Sequence, residues 1–77
     1  MAENNWEFGR RLTEAIDRRH MKYYRVAMEC EISQPRLCHY CYGARMPRAD
    51  SFMKIADRMN FSDEEIIYIL KSLEEKP

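Results

Sequence analysis

Residues 21–43 read MKYYRVAMECEISQPRLCHYCYG, and this stretch decides the fold that the sequence predicts. Its pattern indicates a short helix, a tight polar turn and a second short helix that opens on Ser33. Apolar residues at helical spacing would hold the two helices against a small core. They are Met21, Val26, Ala27, Cys30, Ile32, Leu37, Tyr40 and Cys41.

The second helix of this stretch has a polar outer face. Helical spacing places Gln34, Arg36 and His39 on that face, away from the apolar positions. A helix-turn-helix motif lays such a helix in the major groove, where polar side chains meet base edges. We therefore expect binding to double-stranded DNA, with these three residues as the base contacts.

Local signals define the ends of this second helix. Ser33 is a good N-cap, and Ile32 and Leu37 occupy the positions of a hydrophobic staple. Pro35 falls in the first turn, where backbone amides have no partner within the helix. Gly43 is placed to end the helix in a left-handed conformation.

The rest of the chain predicts three further helices and no strand. The apolar face of the first helix consists of Phe8, Leu12, Ala15 and Ile16, and that of the fourth of Phe52, Ile55, Ala56 and Met59. Ser62-Asp63-Glu64-Glu65 forms a capping box that opens the fifth helix. We predict an all-α fold, a single domain of residues 1–77 with helices at about residues 5–19, 22–30, 33–42, 49–59 and 62–74.

The composition is typical of one small cytoplasmic domain. The 77 residues are 45% hydrophobic, which is enough for a compact globule and too high for a disordered tail. No apolar run approaches the ~20 residues that span a bilayer, and the first residues lack a basic-then-apolar leader pattern. Three cysteines cannot all pair within one molecule, so free thiols in a reducing compartment are the simpler interpretation.

The formal net charge is zero, but the charges are unevenly distributed along the chain. Residues 10–48 carry nine Lys/Arg and four Asp/Glu, a balance of +5, whereas residues 49–77 carry four and seven, a balance of −3. A basic front with an acidic back produces an oriented field that steers a protein toward phosphates. The alternative is ordinary surface scatter in a chain that is 34% charged.

The order and spacing of these motifs resemble the Xre-type, lambda-repressor-like helix-turn-helix domains of bacteria and their phages. The matching segments are Ile32-Ser33-Gln34-Pro35-Arg36-Leu37-Cys38-His39-Tyr40, Gly43, Pro47, Phe52-Met53-Lys54-Ile55-Ala56-Asp57-Arg58-Met59 and Phe61-Ser62-Asp63-Glu64-Glu65-Ile66-Ile67. The resemblance covers about residues 8–70. It implies a five-helix lambda-repressor-like bundle with its helix-turn-helix at helices two and three. It also implies a transcriptional regulator, specifically a repressor of a phage or mobile element.

The resemblance also implies contacts with the sugar-phosphate backbone. The residues expected to make them are Lys22, Tyr23, Arg25, Ser33, Tyr42 and Arg45. The chain departs from the family pattern in the second helix, where Tyr23 replaces a Gln, and in the turn, where Glu31 replaces a Gly. A buried Arg–Glu pair of the family is replaced by Ile16 and Cys41. For each of these residues, the alternative interpretation is an ordinary solvent-exposed side chain that does not contact DNA.

Parts of the sequence can also be interpreted as signs of functions other than DNA binding. Cys38, His39, Cys41 and Cys30 suggest a thiol-metal sensor, but a structural zinc site usually needs two paired ligand units and only one is present. We expect the cysteines to be packing residues, with no metal and no cofactor. No Gly-rich phosphate loop, acid pair or nucleophile–base spacing predicts an enzyme. A protein-interaction module of the same fold, such as an antitoxin or anti-repressor, is the first alternative.

The fifth predicted helix is more apolar than one core-facing stripe requires. We expect Ile66 and Leu70 to close the core, and Tyr68, Ile69 and Leu73 to form the contact surface of a homodimer. A dimer is expected because one short recognition helix reads few base pairs, so binders of this type use paired half-sites. The alternative is that all five residues close the core of the monomer.

Overall fold

The computed structural model of the protein describes residues 5–74, and its regular structure is helical. The helices are α1 (Trp6–Asp17), α2 (Tyr23–Cys30), α3 (Gln34–Cys41), α4 (Ala49–Arg58) and α5 (Asp63–Lys71). No strand occurs among the described residues, so the predicted all-α class with five helices is confirmed. The outer parts of the predicted domain, residues 1–4 and 75–77, lie outside the described residues. None of the helices within 5–74 has the length and apolar character needed to cross a membrane.

One hydrophobic core is shared by the five helices. Close packing joins α1 to α3, α2 to α3, α1 to α5 and α2 to α4. The apolar residues predicted to face inward on the first four helices are buried, and Met21 and Ile32 pack against them half-buried. The largest fully buried side chains of the core include Phe8, Leu12, Ile16, Leu37, Ile55 and Ile69.

α1 and the end of α3 approach each other at two glycines. A Cβ atom on Gly9 would lie 2.4 Å from the Cys41 carbonyl oxygen, so only glycine fits there without a shift of the backbone. Gly43 follows α3 with a φ of 75°, which confirms the predicted left-handed end of that helix. Its carbonyl oxygen accepts a hydrogen bond from the Asn5 amide at 3.0 Å. The start of α1 is thereby fixed to the end of α3.

We expect Gly9→Ala to lower the free energy of unfolding by about 2 kcal/mol, measured by urea denaturation. Alanine normally stabilises a helix interior relative to glycine by ~1 kcal/mol, so the close approach must outweigh that gain. Unchanged or increased stability would show that α1 and α3 are not in the contact described.

Arg19 at the end of α1 connects three helices. Its Nη1 and Nη2 atoms donate to the two carboxylate oxygens of Glu65 at 2.6 and 2.7 Å. Its Nε atom donates to the Met59 carbonyl at 2.9 Å, and Nη2 donates to the Asn60 carbonyl at 2.8 Å. The guanidinium also lies 4.9 Å from the centre of the Phe61 ring. Arg19 therefore satisfies carbonyls at the end of α4 and holds the start of α5.

Glu65 has a second role in capping α5. Its carboxylate accepts from the Ser62 amide at 2.9 Å, while the Ser62 hydroxyl accepts from the Glu65 amide at 3.1 Å. The predicted capping box is thus confirmed. The Arg19 guanidinium lowers the pKa of Glu65 from 4.5 to about 2, against a smaller opposing effect of burial. A carboxyl whose pKa falls on folding stabilises the fold above pH 4.5, and that contribution is lost as the pH falls towards 2.

We expect Glu65→Gln to lower the free energy of unfolding by about 1–2 kcal/mol at neutral pH. Glutamine keeps much of the capping geometry, so the loss reports on the charge. The difference from the wild type should shrink between pH 4.5 and 2. The matched control is Glu64→Gln, at a neighbouring exposed carboxylate that forms no ion pair among the described residues. A pH-independent difference would contradict the assignment.

α5 is rotated relative to its predicted orientation. Ile69 is 0% exposed and belongs to the core, whereas Leu70 is 38% exposed and Ile66 is half-buried. The prediction that Ile69 contacts another subunit is therefore wrong, as is the fully inward placement of Leu70.

Contacts with α1 explain this rotation. Arg19 holds Glu65, and Arg11 donates from Nη1 to the Tyr68 carbonyl at 2.6 Å. Residues 65, 69 and 72 lie on one side of a helix, so anchoring Glu65 turns Ile69 and Ser72 toward α1. Leu70 is then turned about 100° away from Ile69.

Tyr68 and Leu73 remain exposed, but Tyr68 is engaged within the monomer. Its hydroxyl donates to the Glu14 carboxylate at 3.0 Å, and the Arg11 guanidinium lies 4.5 Å from its ring centre. Of the three residues assigned to a dimer surface, only Leu73 is exposed with no polar contact of its own among the described residues.

Candidate nucleic-acid interface

α3 has one buried face and one polar face. The buried residues are Leu37, Tyr40 and Cys41. The three predicted base contacts, Gln34, Arg36 and His39, are all exposed. Because the apolar residues recur every three or four positions, they fix the orientation of α3 and leave these polar side chains in solvent.

The start of α3 is fixed by the predicted cap. The Ser33 hydroxyl oxygen accepts from the Arg36 amide at 3.2 Å, and Pro35 lies in the first turn. An accepting hydroxyl still has its own proton to donate, so Ser33 remains able to bind a phosphate oxygen.

The turn between α2 and α3 contains Glu31 in a left-handed conformation, with a φ of 60°. Its carboxylate accepts from the Lys54 ammonium at 2.8 Å and lies 3.6 Å from Arg58 Nη2. The Lys54 ammonium holds the pKa of the Glu31 carboxyl below its ordinary value. α4 therefore supplies the positive charge that balances this acid beside α3.

The described basic residues are of two kinds, those that form internal ion pairs and those that do not. Those on α1 and directly after it are paired internally: Arg10 and Arg11 bind Glu7, and Arg18 and Arg19 bind Glu65. Apart from Lys71 on α5, the exposed bases with no ion pair among residues 5–74 are Lys22, Arg25, Arg36, Arg45 and Arg48. We call these five residues the basic set. It lies on the start of α2, on α3 and on the segment that follows α3, so the basic front is narrower than residues 10–48.

The structure places the Tyr23 side chain inward. It is half-buried and packs against the core. Burial raises the pKa of Tyr23 to about 12. This placement does not favour the predicted phosphate contact.

Tyr42 and Trp6 border a cleft at the end of α3. Tyr42 is 70% exposed and Trp6 is 62% exposed. The cleft has a volume of about 440 Å³ and is also lined by Arg10, Thr13, Glu14 and Cys41. Trp6 is not among the residues predicted from the sequence to contact DNA. Its position two residues before Phe8, and so on the opposite side of α1, was the signal that it is exposed.

The cysteines are divided between core and surface. Cys30 and Cys41 are buried, and Cys38 is half-buried on α3. Burial raises the pKa of the Cys30 and Cys41 thiols above the ordinary value, which favours the uncharged thiol over the thiolate that binds metals. Within residues 5–74, no group of three or more His, Cys, Asp or Glu residues is placed to hold a metal ion.

Comparison with protein-family models, with characterised proteins and with solved structures yields no match to this chain.

Proposed function

We propose that this protein binds double-stranded DNA with sequence specificity and acts as a transcriptional regulator, specifically a phage or mobile-element repressor. In this proposal, α2 and α3 act as the helix-turn-helix that the resemblance to Xre-type domains implies. The observation that carries the proposal is the basic set. These five bases have no internal partner and lie on α2, α3 and the segment after α3, whereas the α1 arginines are neutralised by carboxylates.

α3 would act as the recognition helix. Gln34 can pair with the N6 and N7 atoms of adenine, and a bidentate contact of this kind discriminates between bases by ~1–3 kcal/mol. Arg36 would bind guanine or phosphate, and His39 would contact a base one turn further along α3. Their exposure on the face opposite the core supports these assignments.

Residues on both sides of α3 would bind phosphates. Lys22 and Arg25 precede or begin α2, Ser33 caps α3, and Tyr42 and Arg45 follow it. Phosphate contacts release condensed counterions, so affinity should fall steeply as salt rises. Contacts of this type position the protein on the duplex and carry no direct sequence information.

The pairing of Glu31 with bases of α4 also supports α3 as the helix that faces DNA. An unpaired carboxylate in the turn before a recognition helix would repel phosphates. Lys54 and Arg58 lie within ion-pair distance of Glu31 and offset part of that repulsion.

The first test is the affinity for duplexes selected from random DNA, measured at several salt concentrations. We expect Arg45→Ala to weaken binding to all sequences alike and to reduce the salt slope by about 1. We expect Gln34→Ala to change the preference among sequences instead. The matched control is Arg18→Ala, which removes an arginine paired with Glu65 and should leave DNA affinity unchanged.

Absence of binding to any duplex at low salt would overturn the proposal. Equal effects of Arg45→Ala and Arg18→Ala would also contradict it, because they would indicate a response to total charge. Tight binding to a protein through α3, without DNA binding, would favour the protein-interaction module instead.

A further inference from the structure

Two of the three cysteines lie one turn apart on α3. Cys38 is half-buried, and Cys41, the last residue of α3, is buried. Residues three apart on an α-helix lie on the same side, and helical geometry separates their Cα atoms by ~5 Å. That separation is within the range that a disulfide spans. Cys30, the third cysteine, is buried on α2.

The two thiols of α3 differ in their access to solvent and affect each other electrostatically. Burial is the main cause that raises the pKa of the Cys41 thiol, and the charge of a Cys38 thiolate raises it further. Such an effect of one thiol on the other requires that they lie close together. Because Cys38 is the more exposed of the two, it is the thiol that an oxidant in solution reaches first.

A disulfide between Cys38 and Cys41 would deform the end of α3. The Cβ atoms of residues three apart on a helix are separated by ~5–6 Å, whereas a disulfide holds them at ~3.5–4.5 Å. The last turn of α3 would therefore have to close by ~1–2 Å. A disulfide that holds the helix out of its relaxed shape is also easier to reduce, so its formation is reversible.

The last turn of α3 is hydrogen-bonded to the segment that is proposed to bind phosphates. The Cys38 carbonyl accepts from the Tyr42 amide at 2.9 Å, and the His39 carbonyl accepts from the Arg45 amide at 3.3 Å. Tyr42 and Arg45 are proposed phosphate contacts, and His39 is a proposed base contact. A change in the shape of this turn would therefore displace residues from both groups.

α1 holds the opposite side of the same turn in place. The Cys41 carbonyl lies against Gly9 and accepts from the Thr13 hydroxyl at 3.4 Å. Because the backbone at Gly9 leaves no free space there, the turn cannot move toward α1. Closure of the disulfide would move the side of α3 that is proposed to face DNA.

We propose that Cys38 is an oxidation site with Cys41 as its partner, and that a disulfide between them lowers the affinity for DNA. The oxidant is hydrogen peroxide. Its oxygen–oxygen bond breaks as the Cys38 sulfur gains one oxygen to form a sulfenic acid, and the other oxygen leaves as water. The Cys41 thiol then attacks the Cys38 sulfur, and its proton leaves with the departing oxygen as a second water. Two thiols are thereby oxidised to one disulfide, and one peroxide is reduced to two waters.

The effect on DNA rests on the proposed function, but the disulfide can be detected without DNA. The full chain is treated with hydrogen peroxide, its remaining thiols are alkylated, and it is digested with trypsin. Trypsin yields residues 37–45, which hold Cys38 and Cys41, and residues 26–36, which hold Cys30. We expect peptide 37–45 to be lighter than its reduced form by two hydrogen atoms, and peptide 26–36 to carry an alkylated thiol.

DNA affinity is measured on the same samples with a selected duplex. We expect oxidation to weaken binding at least about tenfold, as loss of one base contact would. Dithiothreitol should restore the affinity, which separates the disulfide from methionine sulfoxide, a product that needs its own reductases. Cys38→Ser should bind like the reduced wild type and no longer respond to peroxide. Cys30→Ala, the matched control at the cysteine outside the pair, should still respond, and circular dichroism checks that both variants are folded.

Peptide 37–45 without an internal disulfide, or a disulfide that includes Cys30, would overturn the oxidation site. These masses come from the wild type, so they decide the pairing even if a variant does not fold. A disulfide within α3 that leaves DNA affinity unchanged would overturn its effect on binding. If the reduced chain binds no duplex, the proposed function fails together with that effect, while the peptide masses still decide whether the site exists.

Discussion

The ion pair between Arg19 and Glu65 is the interaction on which the rest of the structure depends. It joins residues 46 positions apart and brings the end of α1, the end of α4 and the start of α5 to one point. Because Glu65 is also part of the capping box, the same carboxylate starts α5 and sets its rotation. That rotation buries Ile69 and leaves Leu70 exposed. The Arg19–Glu65 contact therefore determines which side of α5 enters the core and which side stays exposed.

Internal ion pairs also sort the charges of a chain whose net charge is zero. Carboxylates on α1 and α5 neutralise the α1 arginines, and Lys54 and Arg58 neutralise Glu31 beside α3. Of the bases left unpaired among the described residues, five lie around α2, α3 and the segment after α3, and Lys71 lies on α5. The proposed phosphate contacts rest on this distribution, which the net charge alone would not indicate.

Features set by a few neighbouring residues were predictable from the sequence. The Ser33 cap, the Ser62 capping box and the left-handed Gly43 each depend on local spacing, and all three are confirmed. Long-range pairings were not, because an arginine in α1 has many possible acidic partners in the sequence. The error at Ile69 has the same origin, since several positions of α5 are apolar and only its contacts with α1 select the buried side. The half-buried placement of Tyr23 likewise depends on its packing against a core that residues of all five helices form.

The most direct test of the account is a map of the DNA-contacting surface by NMR. Amide signals of ¹⁵N-labelled full chain are followed while a selected duplex is added at low salt. We predict shifts or broadening at residues 22–25 and 33–45, with the signals of α5 unchanged. Shifts confined to α4 and α5, with α3 unchanged, would contradict the assignment of α3 as the recognition helix.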